Sequence, residues 1–231
     1  QFEVAGRAVE LTGRDGAWRF PVARARWTGA VERQSGGWRL YGEGLDLEHD
    51  GSAMVLPRAQ LDVRGRRLQL KVTELPVAPL TRWLADAPGT GERLAQVLAG
   101  LSPSGELSVL EWSQRDYADP AVGWRLGALL RNVSADPWRG APGARGVSGQ
   151  LDLGPGRGAL RLDPGAVTML LPRVYEAPVP LERMSGALAI EWDSAALELR
   201  SSRIEAQHQA GLGHGRLRLR LPFDPGDPVG V

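Results

Sequence analysis

The sequence predicts a mainly β chain: a long antiparallel sheet with meander connections and one short helical unit near residues 77–100. Three observations predict it. Apolar and polar residues alternate with period 2 along most of the chain, the spacing that gives a strand one wet and one apolar face. Gly (30) and Pro (17) fall between these runs and punctuate them as turns do. Only residues 75–101 depart, with apolar positions at helical spacing.

Strand-like alternation begins in "AWRFPV" (Trp18, Phe20, Val22), "GWRLYG" (Trp38, Leu40) and "RRLQLKV" (Leu68, Leu70, Val72). "LPVAPLTRWLADAPGTGERLAQVLAGL" then reads as a helix with Leu80, Trp83 and Leu84, a break at Pro88-Gly89, and a second helix. The second helix places Leu94, Val97, Leu98 and Leu101 on one face; Gly100 lies in its expected C-cap region and Pro103 prevents continuation. Alternation resumes in "VGWRLGALL" (Val122, Trp124, Leu126), "GQLDLG" (Leu151, Leu153), "GALRLD" (Leu160, Leu162) and "AVTMLLP" (Val167, Met169, Leu171). "GALAIEW" (Leu188, Ile190, Trp192), "ALELR" (Leu197, Leu199) and "GRLRLRLPF" (Leu217, Leu219, Leu221, Phe223) complete the series. "GPGRG", "DPG" and "GLGHG" read as short turns joining antiparallel neighbours. The helical unit, 75–103, divides the chain into β-rich parts 1–74 and 104–231. So much apolar strand surface either closes on itself as a sandwich or barrel, the commoner outcome, or lines an open trough. The pattern does not choose between them.

Composition excludes several functions. The chain of 231 residues has 28 basic and 27 acidic side chains, without the basic surplus of a general nucleic-acid binder. Absence of Cys excludes disulfide scaffolds, thiolate metal sites and a cysteine nucleophile. No run approaches the roughly 18 apolar residues of a membrane-spanning helix. Both termini read as cuts, which leads us to expect a segment of a longer protein.

Catalytic chemistry finds little purchase. Ser148 and Ser185 do not match a nucleophile elbow and are expected at strand starts. His49, His208 and His214 lack a third ligand at metal-binding spacing. The glycines of "GPGRG" and "GLGHG" precede strands, whereas phosphate loops precede helices. "DPGDP" (Asp224 to Pro228) has too few ligands for calcium. Glu106 with Glu111, or Glu191 with Asp193, are the carboxylate pairs a glycosidase would need, but carboxylates on a strand's wet face are commonplace. Of the 8 Trp residues, Trp18, Trp38, Trp124 and Trp192 fall in phase with apolar faces, as core residues, sugar platforms or groups near a lipid boundary. Arg216, Arg218 and Arg220 alternate with leucines and read as a solvated outer face.

From Leu75 onward the order of features resembles the YhdP branch of the AsmA-like proteins. "LPVAPLTRWL", the helix ending in "LAGLSPSGELSVLEW", and "GWRLGALLRNVSADPW" carry the likeness, followed by "PGARGVSGQLDLGPGRGALRLD", "VTMLLPRVYEAPVPLERMSGALAIEW" and "GHGRLRLRLPF". Residues 1–74 share only the strand rhythm. The resemblance implies a periplasmic envelope protein of a Gram-negative bacterium, anchored in the inner membrane by a part of the parent outside this segment. It implies phospholipid as partner, an open apolar β-groove, and neither enzyme activity nor cofactor. The implied groove lining is Trp124, Leu126, Leu151, Leu153, Leu160, Leu162, Val167, Met169, Leu171, Leu188, Ile190, Leu217, Leu219 and Leu221. The alternatives are a β-sandwich carbohydrate-binding module using surface Trp residues, and a structural envelope module with a closed core.

Overall fold

The computed structural model describes residues 2–12, 19–49, 52–86, 92–117, 119, 123–224 and 229–230. Its strands are β1 (Phe2–Thr12), β2 (Arg19–Gln34), β3 (Gly37–His49), β4 (Ser52–Arg64) and β5 (Arg67–Pro76). Helices α1 (Val77–Asp86) and α2 (Glu92–Leu101) follow. The chain continues with β6 (Ser104–Gln114), β7 (Trp124–Ala135), β8 (Gly143–Gly154), β9 (Arg157–Leu170), β10 (Val179–Trp192), β11 (Ala196–His208) and β12 (Gly211–Pro222).

These strands form one 12-stranded sheet in sequence order, each antiparallel to the next. β1 and β12 are not neighbours in it, so the sheet is open and not a barrel. The helices sit inside the β5–β6 connection, and these two strands pair directly from Leu68↔Gln114 to Pro76↔Glu106. Residues before and after the helical unit therefore share a single sheet.

Not every expected turn is one. Pro155-Gly156 of "GPGRG" does form the β8–β9 turn, but "DPG" (Asp163 to Gly165) lies inside β9. "GALRLD" and "AVTMLLP" are consequently one strand. "GLGHG" opens β12, and the turn before it is Gln209-Ala210. Ser148 and Ser185, expected at strand starts, are interior to β8 and β10.

The reason is a line of irregularities that crosses the sheet. On successive strands the inward apolar positions skip a beat: Leu56 to Ala59, Val72 to Leu75, Leu107 to Leu110, Leu130 to Val133, Leu162 to Val167. An odd spacing should throw the next residue to the opposite face, yet both members of each pair pack in the same apolar cluster. The backbone absorbs the slip. Gly44, Glu74, Gly105, Asn132 and Gly146 along this line have positive φ, Pro57 and Pro164 interrupt the ladder, and pairing registers shift at β6–β7, β7–β8, β8–β9, β9–β10 and β11–β12. Serine hydroxyls take up backbone groups freed there. Ser148 Oγ accepts from Asn132 N–H at 3.0 Å, and Ser201 Oγ accepts from Arg203 N–H at 3.2 Å. Bulges of this kind bend a strand, and those on β3–β9 fall along one line, the crease. Val72, Leu75, Leu107, Ala128, Leu162, Val167 and Leu188 are buried beside the crease, and Ala141, Leu219, Leu221 and Val229 form a second buried cluster at the end of β12.

α1 packs on the apolar face over β4, β5 and β6, burying Val77 and Trp83 against Met54, Leu75 and Leu107. Pro79 falls in its first turn, where no intrahelical N–H bond is lost. Gly100 is not the helix stop. Ser102 takes the left-handed conformation (φ 41°) and donates its N–H to Leu98 O at 3.1 Å. Gly100 serves a different purpose: a Cβ there would stand 1.9 Å from the Trp138 indole nitrogen.

The two long margins of the sheet differ. On one, backbone bonds join the tips of β2–β3, β4–β5 and β6–β7 (Gly65 N–H to Gly36 O, Tyr117 N–H to Arg66 O), and those of β8–β9 and β10–β11 with the end of β12 (Trp192 N–H to Gly156 O, Phe223 N–H to Ala195 O). We call this the tip margin. On the other, the β7–β8 connection reaches across the apolar face to the end of β12. Arg139 donates to Pro222 O (3.4 Å) and Asp224 O (3.1 Å), and Ala141 packs with Leu219, Leu221 and Val229.

Candidate functional site

The apolar face is the most extensive feature of the molecule with one chemical character. Cross-strand partners share a face, so the register places residues in rows. One row runs Val31, Leu40, Leu61, Leu70, Trp112, Leu126, Leu153, Gly158, Ile190, Leu199, Leu219, from β2 to β12. The next towards the crease runs Gly29, Gly42, Ala59, Val72, Leu110, Ala128, Leu151, Leu160, Leu188. Neither row contains a charged side chain, and the indole of Trp112 is the one hydrogen-bonding group in them. Leu40, Leu61, Leu70, Trp112, Leu126, Leu151, Leu153 and Leu160 are only half-buried, because α1 is the one element that packs on this face over β4–β6 among the described residues.

The predicted lining divides in three. Trp124, Leu126, Leu151, Leu153, Leu160, Leu162, Val167, Met169, Leu188 and Ile190 share the apolar face of β7–β10. Leu217, Leu219 and Leu221 share it on β12, but Leu219 and Leu221 pack beneath Ala141 and Val229. Leu171 lies past the end of β9, its carbonyl accepting the Val174 and Tyr175 amides at 2.9 and 2.8 Å. The sequence reading left out Val31, Leu40, Leu61, Leu70, Val72, Leu110 and Trp112. Their alternation was visible; that the N-terminal strands align in the same rows was not.

Trp124 and Trp192 stack with ring centroids 6.3 Å apart and planes at 28°. They stand on β7 and β10, whose axes three strand spacings would hold about 14 Å apart in a flat sheet, so the rings lean together over the apolar face. Trp38 is 49 % exposed, with the Arg33 guanidinium 5.9 Å from its ring centroid. Trp18, Val122, Pro88, Gly89 and residues 225–228 lie outside the described residues, as do the side chains of Phe20, Val22, His49 and Leu94.

The opposite face is polar and paired. Its matching row is Tyr41, Gln60, Lys71, Glu111, Gly127, Asp152, Ala159, Ala189, Arg200, Arg218. Lys71 meets Glu111 at 2.8 Å, Arg39 meets Asp62 at 2.6 Å, and Arg131 meets Glu106. Glu191 lies 3.8 Å from Arg200, while Asp193 accepts the Ala195 and Ala196 amides at 2.7 and 2.9 Å. The candidate acids are thus held in cross-strand pairs and a turn. Arg218 and Arg220 lie 3.8 and 3.7 Å from Glu198, which also accepts a hydrogen bond from Arg200. That hydrogen bond, with the surrounding guanidinium charges, holds the Glu198 carboxyl below its ordinary range. The backbone amides do the same for Asp193.

A cavity of about 930 Å³ spans β4 to β10, lined by residues of both kinds, among them Lys71, Glu111, Asp152, Trp112, Leu126 and Leu153. It contains no grouping of nucleophile, base and orienting partner. His208 pairs with Gly211 and His214 with Glu205, so the two imidazoles stand on different rungs of the β11–β12 ladder. Among the described residues no cluster of His, Asp and Glu suits a metal ion, and no helix is long and apolar enough to cross a membrane. What the site offers is a broad apolar surface without charge, backed by a paired polar one.

No curated protein and no solved structure matches the chain. The model of the YhdP protein family matches residues 6–227, and the chain therefore belongs to the YhdP family, the AsmA-like branch that its sequence resembles.

Proposed function

We propose that this chain is a segment of a periplasmic, bridge-like lipid-transfer protein. Its creased apolar face is a groove that shelters phospholipid acyl chains between the inner and outer membranes and so contributes to outer-membrane lipid homeostasis. The parent protein is anchored in the inner membrane outside this segment. The observation that carries the reading is the pair of uncharged rows crossing an open sheet.

The physics follows from exposure of hydrocarbon. Carrying a lipid through water costs about 0.8 kcal/mol for every CH₂ left wet. A floor of Leu, Val and Ala removes that cost without fixing the lipid at any point, since no hydrogen bond or ion pair must break as it slides. Conduction needs no residue of shifted pKa, no metal and no cofactor. The polar face, with its salt bridges, keeps the other side in water.

Photoreactive residues at Leu153, Leu160 and Met169, half-buried on the apolar face, are expected to crosslink to phospholipid in a bacterial host. The same probe at Gln150 and Arg161 on the opposite face is expected to stay free of lipid. Folded protein that crosslinks at neither set, and carries no lipid in native mass spectrometry, would sink the reading. The carbohydrate-binding alternative predicts quenching of Trp fluorescence by glycans. Trp124 and Trp192 lean on each other over the apolar face, which suits a flat sugar platform poorly.

A further inference from the structure

We infer that the phosphate headgroups of the sheltered lipid lie along the tip margin, on a belt of arginine and tryptophan. This rests on the groove reading above and adds to it which wall of the groove faces the headgroup.

Three independent features converge there. The first is charge. The tips and their flanking residues carry Arg33, Arg64, Arg66, Arg67, Arg115 and Arg157. Their described carboxylates, from β2 to β11, are Asp116, Asp119, Glu191 and Asp193; Arg66 and Asp116 pair at 3.1 Å, Glu191 lies 3.8 Å from Arg200, and Asp193 is occupied by backbone amides. At the opposite margin the β5–β6, β7–β8 and β9–β10 connections carry Asp86, Glu92, Asp136 and Glu176 against Arg82, Arg93, Arg139 and Arg173, which balance. The net positive charge thus lies along one margin only, although the chain as a whole is almost neutral.

The second is aromatic placement. Trp38 and Trp124 stand in the apolar row nearest the tips, linked through Val63, Leu68 and Gln114, and Trp192 stands beside Trp124 at the end of β10. Indole rings with one apolar and one wet edge settle at hydrocarbon–headgroup boundaries. Trp38 is half exposed under the Arg33 guanidinium, which keeps a cation beside the ring at that boundary.

The third is geometry. Backbone bonds join the β2–β3, β4–β5 and β6–β7 tips to one another and the β8–β9 tip to the β10–β11 tip, and the continuous sheet sets these two runs along one margin. From Trp124 at the margin to Leu130 at the crease the wall is about 20 Å high at ~3.3 Å per residue. Half of a bilayer's hydrocarbon core is about 15 Å. Acyl chains seated on the crease therefore bring their phosphate level with the arginines. Guanidinium forks match phosphate oxygens in pairs, and they are weakly hydrated enough to do so at a half-wet edge.

The test uses fluorescent phosphatidylglycerol and diacylglycerol with identical acyl chains, titrated against the folded chain. In one variant Arg33, Arg64, Arg67 and Arg157 become Gln. In the control, Arg58, Arg161, Arg183 and Arg216, exposed residues away from the tips, become Gln. The tip variant is expected to bind phosphatidylglycerol about tenfold more weakly, since several exposed charge contacts are lost together. Its diacylglycerol binding and thermal midpoint are expected to stay unchanged, and the control variant to bind both as the parent does. Raising salt is expected to weaken phosphatidylglycerol binding by the parent and leave the tip variant flat. Undiminished phosphatidylglycerol binding by the tip variant overturns the inference and leaves the groove standing, as does an equal loss in the control. Saturable binding of inorganic phosphate at these arginines, with no preference for phosphatidylglycerol over diacylglycerol, marks a free-anion site and overturns it too. Failure of the parent to bind either lipid removes the groove itself.

Discussion

The two faces of this sheet are made by the same strands, one residue apart, and obey different rules. On the apolar face, rows of Leu, Val, Ala and Gly run unbroken across strands, and nothing but shape constrains a neighbour. On the polar face many side chains have a particular partner, such as Lys71 with Glu111 or Arg39 with Asp62. The apolar face is therefore sensitive to volume and charge but indifferent to identity. The polar face tolerates truncation and depends on pH. The proposed sheltering of hydrocarbon in water calls for both behaviours in one layer.

The sharpest break in this comparison comes from the crease. Leu75 is 2 % exposed, and Leu75→Ala is expected to cost about 2–5 kcal/mol in urea unfolding. Leu129 on the polar face is 46 % exposed, and Leu129→Ala is expected within about 0.5 kcal/mol of the parent. Similar losses at both positions would erase the distinction between faces.

Glycines give the next contrast. A Cβ on Gly149 would stand 2.1 Å from the Arg161 carbonyl oxygen, a backbone atom that cannot step aside, and Gly149→Ala is expected to cost about 1–3 kcal/mol. A Cβ on Gly127 meets only Asp152 Oδ1, at 3.7 Å, so Gly127→Ala is expected to be neutral or slightly stabilising in thermal melts. Smaller still, Ser148→Ala removes the acceptor of the Asn132 amide at the bulge. About 0.5–1.5 kcal/mol is expected, with faster hydrogen exchange at Asn132 as the local signature.

The mildest effect is electrostatic and belongs to the polar face alone. The folded-state pKa of Glu198 lies below its ordinary 4.5, so the unfolded chain binds this proton first as pH falls. Its contribution to stability is complete above the ordinary value and is lost as pH drops through the folded pKa. Asp193 acts with the same sign from its ordinary 3.8 downward, and so does Asp62, where hydrogen bonds from Gln60 and Arg39 outweigh burial. Glu198→Gln is expected to leave a melting curve that declines less steeply below pH 4.5. A parent curve that is flat through this range would contradict the assignment.

Much of this was legible in the residues. Period 2 identified the strands of the second β-rich part, and helical spacing located Trp83 and Val97 on the two helices, both of which are buried. The skipped beat was legible too, but ambiguous. In "LRLDPGAVTM" the shift from Leu160 and Leu162 to Val167 and Met169, with Pro and Gly between, reads equally well as a turn or a bulge. Local chemistry is the same in both, and only the strands beside it, which pair with β9 on both sides of the irregularity, make it a bulge. Gly100 shows the same limit: a glycine near a helix end suggests a stop, whereas its cause is the Trp138 ring from 38 residues further along.

By itself, then, the sequence determined most of the strands, which side of each of these avoids water, and which short segment is helical. Periodicity and turn chemistry act within a few residues, so a chain carries them wherever it is. Whether the sheet would close, which skipped beats were creases, and that the charged hairpin tips share one margin were decided only by the tertiary structure. Each depends on strand order and register, and these are set by the packing of rows from β2 to β12 that no local window contains.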